Sequence, residues 1–463
     1  MLKNSDFLFK QITEKIANTD FTGYTVQYPP LFAWRDAILD KEIFTGWEKL
    51  IDEKPKYLGI YIHLPFCKQR CYFCRYFSIE LQKQAEIDVY LSGLKKEIRI
   101  YRNTFCNTPI RSIYFGGGTP SLLNTRQLDN LFSRLYKNFN LAQCKQISFE
   151  GNPDFLDSKK LKLLKQWGVN RLTIGVQSLD PKVISAVNRY QSANSFLKCF
   201  KSAKQAKIEN INVDLMVGLP LQTMNSVIKT LVSVIRLQPE MIHVHPFYPT
   251  RLSDFIRRGQ SLSRQDMLLR EKMSLVSLEI IKQSGYMSIK FDADGKNEMA
   301  RNIQLSDAIE YNSPFLGLGG GALSHATGYF RYVNKNSVND YLSVLNNGKL
   351  PVLSLGRLSK KDEMIYFVTA SLRYGKVNNS KFKEIFKEDI SKVFKNEIAY
   401  LIKRTKIKCS NGYLYSNMAN IGEYQVFSKY FYDKKLIANT QKMFGYNPGP
   451  EIIKSEEMKF MLL

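Results

Sequence analysis

Three of the chain's seven cysteines fall within one short run, Cys67-Lys-Gln-Arg-Cys71-Tyr-Phe-Cys74, while Cys106, Cys144, Cys199 and Cys409 stand alone. The four isolated thiols read as buried, inert side chains. An odd cysteine count argues against a disulfide framework. A structural zinc site needs four ligands, usually as two spaced pairs, and no second Cys or His pair follows at finger or ribbon spacing. Three thiolates on one loop can instead hold three corners of a [4Fe–4S] cube. One iron is then left open to a ligand that is not protein, whereas electron-transfer clusters are usually held by four cysteines. An open iron implies chemistry at that iron.

The elements around the loop decide where that chemistry would sit. Tyr57-Leu-Gly-Ile-Tyr-Ile-His63 reads as a strand, Pro65 ends it, and the cysteines follow before a helix that begins near Ala85. The thiols are therefore expected at the carboxyl end of a strand, the edge at which α/β sheets bind ligands. Further strand patterns at Ile110–Phe115, Gln146–Phe149, Arg171–Ile174, Ile211–Met216 and Met241–His245 alternate with helical periods near Ala85–Arg102, Thr125–Lys137, Ser158–Trp167, Pro181–Val187, Ser195–Lys207 and Asn225–Leu237. Strands separated by helices predict an α/β fold with a parallel sheet and right-handed crossovers, closed or partly closed as a barrel.

Short polar or glycine-rich stretches follow the inner strands. In Phe115-Gly116-Gly117-Gly118-Thr119-Pro120-Ser121, three glycines let the backbone approach a ligand and Pro120 stops the strand. Glu150 stands where the third strand ends, Gln177 lies just past the fourth, and Asp214 lies on the fifth, pointing inward or outward by alternation. Each alone is as readily a turn or capping residue; their recurrence at one rim is what marks a site. Of the four histidines, His63 reads as packed or hydrogen-bonded on its strand. His243 and His245 share one face of the sixth strand and can bind a metal, although the sequence places no third ligand. His325 follows a glycine turn, within reach of a ligand.

Composition narrows the partners. The chain has 463 residues, 44% hydrophobic and 24% charged, which excludes disorder as the main state. No apolar run approaches the roughly 18 residues of a membrane span, and the start, MLKNSDFLFKQ, lacks a leader pattern, so a cytoplasmic protein is expected. Lys+Arg number 67 against 42 Asp+Glu, a formal charge of +25. These lysines are spread over helix faces throughout, so the charge points to an anionic small molecule rather than to nucleic acid.

Read in order, Tyr61-Ile-His-Leu-Pro-Phe-Cys67 with its CxxxCxxC loop, GGGTPS, FEGNP, RLTIGVQS, VNRYQ at 187–191 and NVDLMVGLPLQT at 212–223 resemble the radical S-adenosylmethionine (SAM) family of oxygen-independent coproporphyrinogen III oxidase. Relatives of that family are the haem chaperone and the class C radical-SAM methyltransferases. Arg301-Asn-Ile-Gln304, Leu316-Gly-Leu-Gly-Gly-Gly-Ala-Leu-Ser324 and Ala370-Ser-Leu-Arg373 extend the match over about residues 57–375. The resemblance implies a partial (β/α)6 barrel and a [4Fe–4S] cluster on Cys67, Cys71 and Cys74. It also implies a SAM chelating the open iron, from which reduction releases a 5′-deoxyadenosyl radical. The first SAM would meet Tyr61, Gly117, Glu150 and Leu323; a second would meet Gly118, Thr119, Gln177, Arg189 and Asp214. An electron donor such as flavodoxin or ferredoxin and a small substrate, a tetrapyrrole among the candidates, are implied as partners. The expected activity is oxidative decarboxylation of porphyrinogen propionates, with class C methyl transfer or haem carriage as the alternatives. Three departures stand out: Arg75-Tyr76 replaces the oxidase's Gly-Cys after the third cysteine, the oxidase's N-terminal Tyr-Thr-Ser-Tyr-Pro element is only loosely echoed by Tyr24-Thr-Val-Gln-Tyr28-Pro29, and Asn188-Arg189-Tyr190-Gln191 replaces the chaperone's Gly-Arg-x-His.

The expected organisation is a wrapping segment over 1–56, the barrel over 57–250, a barrel extension on the substrate side over 251–355, a C-terminal helical or winged-helix-like domain over 356–432, and a tail over 433–463. The last domain carries lysine-rich helices at Asp362–Leu372, Ser380–Phe386 and Ser391–Lys403, then a short strand at Gly412–Tyr415.

Overall fold

The structure is a computed structural model that describes residues 28, 39–55, 57–249, 253–290, 293–297, 300–418, 424 and 427–433. Apart from Tyr28, the N-terminal run of Tyr24 to Pro29 lies outside the described residues, as does the expected tail after Asp433.

Helix α1 (Asp40–Asp52) leads to strand β1 (Gly59–Leu64), and the short strands β2 (Phe66–Cys67) and β3 (Ile79–Glu80) frame the cysteine loop. There follow α2 (Ala85–Phe105), β4 (Ser112–Gly117), α3 (Thr125–Asn138), β5 (Gln146–Gly151), α4 (Ser158–Gln166), β6 (Arg171–Gln177), α5 (Pro181–Ala186), α6 (Ala193–Gln205), β7 (Asn210–Val217), α7 (Met224–Arg236) and β8 (Met241–Pro246). Neighbouring strands from β1 and β4 through β8 pair in parallel, as the alternation of strand and helix patterns requires. Side-chain caps fix several helix starts: Asn124 and Gln127 form a reciprocal box at α3, and Thr223 and Ser226 form one at α7.

The extension contains α8 (Asp254–Arg257), α9 (Arg264–Gln283), β9 (Met287–Lys290), β10 (Ala293–Gly295), α10 (Ile303–Glu310), β11 (Phe315–Leu318), β12 (Leu323–Ala326), β13 (Phe330–Asn334), α11 (Val338–Asn346) and β14 (Val352–Arg357). Its strands join the same sheet, giving the order β14-β13-β12-β11-β1-β4-β5-β6-β7-β8-β10-β9. β11 adds a further parallel strand beside β1, and the flanking strands run antiparallel. The two end strands of this order do not pair with each other, so the barrel is partial.

Period-two alternation sorts the side chains. On β5 to β8, Ile147, Phe149, Leu172, Ile174, Ile211, Val213, Ile242 and Val244 are buried in one apolar core, which also takes in α2, α3, α6 and α7. The intervening residues face the other way, into a cavity. The turn after β11 is fixed from the outside by a fully buried carboxylate: Glu97 accepts from the Gly319 amide at 2.7 Å, Asn334 at 2.7 Å and the Tyr341 hydroxyl at 2.6 Å.

A second core belongs to the C-terminal unit of α12 (Lys360–Arg373), β15 (Lys376–Asn378), α13 (Asn379–Phe386), α14 (Ile390–Val393), α15 (Lys395–Lys403), β16 (Ile407–Ser410) and β17 (Tyr413–Ser416), with β17 central in a three-stranded antiparallel sheet. The sequence predicts one helix over Ser391–Lys403; the chain breaks instead at Phe394, whose ring is fully buried against Phe382 and Phe431 at the cost of helical backbone geometry. Tyr28 packs in this core, and its hydroxyl donates to Asp362 at 2.9 Å.

The isolated cysteines do not form one class. Cys199 is buried as expected, Cys106 and Cys144 are half-buried, and Cys409 is exposed, because it lies on β16, where Lys408 and Cys409 are both left uncovered.

Gly317 tests the seam between barrel and extension. A Cβ there would lie 2.2 Å from the Leu323 carbonyl oxygen, so backbone must move. Gly317→Ala should lose about 1–3 kcal/mol of stability in urea unfolding; an unchanged midpoint would contradict the close approach of β11 and β12.

Candidate functional site

The cavity at the carboxyl edge of the parallel strands has a volume of about 700 Å³, and all twelve residues that the resemblance gives to the cluster or to SAM line it: Tyr61, Cys67, Cys71, Cys74, Gly117, Gly118, Thr119, Glu150, Gln177, Arg189, Asp214 and Leu323.

The cysteine loop is held from both ends. The β2–β3 pair closes it through Ile79 N donating to Pro65 O and Leu81 N to Cys67 O, both at 2.8 Å. Inside the loop, Arg70 donates to Ser78 Oγ at 2.9 Å and to Cys74 O at 3.3 Å, and pairs with Asp254 at 3.4 Å. Asn188 donates to Arg70 O at 2.8 Å and the Tyr72 amide to Val187 O at 2.9 Å, which ties the loop to the VNRYQ segment. Gly118 sits so close beneath it that a Cβ would come within 2.7 Å of Pro65 C and Phe66 O. Gly117, with φ +114°, takes a conformation that only glycine adopts cheaply.

Two donors reach the loop thiols. Thr119 Oγ1 lies 3.5 Å from Cys67 Sγ, and Arg189 Nη1 lies 3.7 Å from Cys71 Sγ. Burial pushes the Cys67 thiol up to about 12, helped by neighbouring Cys74, and burial also raises Cys71 against the opposing pull of Arg189. Burial thus favours the protonated form of Cys67 and Cys71, and a cation that binds these two thiols must displace their protons. Three clustered thiols, two sulfur-directed donors and a glycine cradle fit a [4Fe–4S] cluster. No fourth cysteine lines the cavity among the described residues.

Along the walls, strand register sets the neighbours. Glu150 pairs with Thr173, Thr173 with Asn212, Gly175 with Asp214, and Asp214 with His243. Alternation thus turns Asp214 inward. Glu150 accepts from the Tyr114 hydroxyl; burial pushes its carboxyl up to about 7. Burial also raises Asp214, but His245, His243 and the Asn212 amide, which donates at 2.7 Å, outweigh it and hold the carboxylate at about 2. Burial holds His63 at about 4, hence neutral. Its Nε2 lies 2.9 Å from Phe77 O, which can only accept, so Nδ1 is the acceptor for the Tyr61 hydroxyl at 2.9 Å. Arg189 is fixed by Gln191 at 2.9 Å and by Gly175 O, and Gln191 in turn donates to Val176 O at 2.6 Å.

Gln177 has φ +64° at the irregular end of β6, and its buried Oε1 has no hydrogen-bond partner among the described residues; the same holds for Asn212 Oδ1 and Gln304 Oε1 on this cavity. These three acceptors are therefore available to a ligand in the cavity. Asn212, Tyr114 and Arg171 escape a reading based on strand ends, because they lie deeper on the inner face; polar residues alternating with apolar ones on β4, β6 and β7 are the signal that finds them. Tyr366, Arg373 and Tyr374 of the C-terminal unit line the same cavity. His325 does not: it is buried behind the cavity wall, with Nε2 2.8 Å from Glu363 Oε1 of α12, so it joins the extension to the C-terminal unit instead of reaching a ligand.

Glu150 gives a pH signature. Its folded pKa of about 7 lies above the ordinary carboxylate value, so the folded chain holds the proton more tightly than the unfolded chain. That contribution is complete below the unfolded pKa and is lost as pH rises through about 7. Between about pH 5 and 8 the wild-type protein should lose on the order of 1 kcal/mol of unfolding free energy relative to Glu150→Gln, the open cavity screening the rest. Parallel urea curves at the two pH values would contradict this environment.

Comparison with known proteins identifies the family. Residues 61–234 match the Radical SAM superfamily. The oxygen-independent coproporphyrinogen III oxidase of Pseudomonas aeruginosa is 31% identical over 319 residues, covering 64% of this chain and 67% of that protein. The heme chaperone HemW of Buchnera aphidicola is 25% identical over 364 residues, 77% of this chain and 92% of its own. In fold, the chain matches coproporphyrinogen III oxidase (HemN) from Escherichia coli with a TM-score of 0.78 at 23% identity, over 88% of this chain and 96% of that one. With a cysteine triad opening on the carboxyl edge of a partial barrel, and these relatives in sequence and fold, the chain belongs to the radical SAM superfamily, in the family of the oxygen-independent coproporphyrinogen III oxidases and their haem-chaperone relatives.

Proposed function

We propose that this chain is an enzyme that oxidatively decarboxylates propionate side chains of a coproporphyrinogen III-type substrate, using one [4Fe–4S] cluster and two SAM molecules, with electrons from a flavodoxin- or ferredoxin-type donor in the cytoplasm. The observation that carries it is the opening of Cys67, Cys71 and Cys74 onto the same cavity as Glu150, Gln177, Arg189 and Asp214. Cysteine thiolates would hold the cluster. Tyr61, Gly117, Glu150 and Leu323 would hold the first SAM; Gly118, Thr119, Gln177, Arg189 and Asp214 the second. The chemistry supplied when both groups are bound is reductive cleavage of the sulfonium to a 5′-deoxyadenosyl radical.

The chain's own residues would position and shield. Arg189 suits a SAM carboxylate, and Glu150 and Asp214 suit an ammonium or ribose hydroxyls. Arg171, Arg301 and Arg373 line other parts of the cavity and suit the carboxylates of the substrate. The net charge of +25 steers such a polyanion inward. Phe73 and Phe155, both half-buried, give the cysteine side of the cavity apolar surface, which would limit water at a reactive centre once ligands fill it. Asn188-Arg189-Tyr190-Gln191 favours this reading over haem carriage, in whose proteins a Gly-Arg-x-His run is expected.

Anaerobically reconstituted protein should hold about four iron and four sulfide per chain, and the Cys67, Cys71, Cys74 triple Ala variant none; a full cluster in that variant would remove the basis of the proposal. Glu150→Ala should keep its iron yet form 5′-deoxyadenosine roughly 10- to 100-fold more slowly at limiting SAM, the value of a lost charge-assisted contact. Mass spectrometry after incubation with reductant, SAM and coproporphyrinogen III should find carbon dioxide and a vinyl-bearing product, with two SAM bound per chain. S-adenosylhomocysteine and a methylated product would point to class C methyl transfer; tight haem binding with one SAM and no turnover would point to a chaperone.

A further inference from the structure

Cys67, Cys71 and Cys74 open on the cavity. In the radical reading SAM and substrate fill that side, which leaves the outer side of the cysteine loop for the electron that the chemistry needs. The residues between the ligands define this outer side. Tyr72 and Phe73 stand between Cys71 and Cys74; Phe73 lines the cavity and Tyr72 does not. Tyr72 is half-buried against a small apolar cluster that contains Val183, Val187 and Phe255 and is separate from the main core. Its backbone is fixed twice, the amide donating to Val187 O and the carbonyl accepting from Phe255 N, both at 2.9 Å.

Helix α8 thus lies against the loop, and it brings charge. Arg258, which follows α8 and is exposed, holds its guanidinium 4.5 Å from the centroid of the Tyr72 ring. Arg257 is exposed as well. It shares Asp254 with Arg70 of the cysteine loop, at 3.3 and 3.4 Å, and Arg70 in turn donates to Cys74 O at 3.3 Å. Three arginines therefore meet one carboxylate on this surface, and Lys68, next to Cys67, is a further exposed cation. Neither Arg257 nor Arg258 lines the cavity, so neither is offered to SAM or to a substrate carboxylate. Arginine and tyrosine are the residue types that anchor protein interfaces, and a surplus of cations selects a partner of opposite charge.

We propose that the outer side of the cysteine loop, centred on Tyr72, Arg257 and Arg258, is the docking face for an acidic flavodoxin-type carrier that reduces the cluster. The inference rests on the radical reading and gives it a point of electron entry. One electron leaves the reduced carrier and enters the oxidised cluster, and no covalent bond changes at the face. The carrier's carboxylates would oppose Arg257 and Arg258, with Tyr72, the chain neighbour of Cys71, between carrier and cluster.

The test compares cluster-bearing wild-type protein with its Arg257→Gln/Arg258→Gln variant, which removes two charges and keeps polar side chains. At low salt the variant should bind oxidised flavodoxin roughly tenfold more weakly by calorimetry, and reduced flavodoxin should bleach its cluster roughly tenfold more slowly in stopped flow. Iron and sulfide should stay at wild-type levels. Photoreduced deazaflavin, a small reductant that needs no docking face, should bleach both clusters at one rate. Added salt should slow the flavodoxin reaction of the wild type more steeply than that of the variant. Equal affinity and bleaching in the two proteins, or a wild-type cluster that deazaflavin reduces and flavodoxin does not, would overturn the proposal. So would a variant slowed equally with both reductants, because the arginines would then act on the loop itself. Neither readout needs SAM or substrate, so the two readings fail separately. Arginine-dependent reduction with no 5′-deoxyadenosine after SAM is added supports the face and removes the radical reading. Formation of 5′-deoxyadenosine with deazaflavin, beside flavodoxin reduction that ignores the arginines, keeps the radical reading and refutes the face.

Discussion

The fold rests on one geometric constraint, the two-residue pleat kept in register across parallel strands. Because each inner strand turns alternate residues to opposite faces, an apolar set such as Leu172, Ile174 and Val176 must coincide with a polar set such as Arg171, Thr173 and Gln177 on the same strand. One face is sealed by helices and the other bounds a cavity. A slip of one residue on β7 would bury Asn212 and Asp214 under a helix and open Val213 to the cavity, which makes the register as much a property of the site as of the core.

Burial then sets the electrostatics. Thiols, a carboxyl and an imidazole that would be ordinary in water are each driven toward their neutral forms here: Cys67 to about 12, Glu150 to about 7 and His63 to about 4. Asp214 goes the other way because two histidines and an amide face it. A wall of neutralised donors with one ionised carboxylate, plus unpaired acceptors on Gln177, Asn212 and Gln304, is complete only with ligands bound. Asn188, which donates to Arg70 O, and Arg189, which reaches Cys71 Sγ, tie the cysteine loop to the segment after α5.

Much of this is legible in the sequence. The β/α alternation over 57–250 carries strong periodicity, and its elements fall within a few residues of the observed ones; the cysteine spacing, the glycine run and the strand-end polar residues all converge on one rim. What escapes has physical causes. β9, β10 and β12 to β14 are only three to six residues long and pair antiparallel with their neighbours in the chain, so period-two alternation is too brief to mark them, while β11 pairs in parallel with β1, far away in the chain. Gly317 next to Leu323, and Asp214 opposite His243, are facts of register that no single segment contains. His325 looks available beside a glycine turn, yet Glu363, 38 residues on, claims it. Phe394 breaks a helix for the sake of core packing that composition alone does not reveal.

The central claim is that three cysteines of one loop hold a cluster at the cavity rim and leave one iron without a protein ligand. Crystals of the anaerobically reconstituted protein, with diffraction measured at the iron edge, test it most directly. The account predicts a single anomalous peak bounded by the Cys67, Cys71 and Cys74 sulfurs and open toward Glu150 and Arg189. A peak elsewhere, or a fourth protein side chain bonded to the remaining iron, would contradict it.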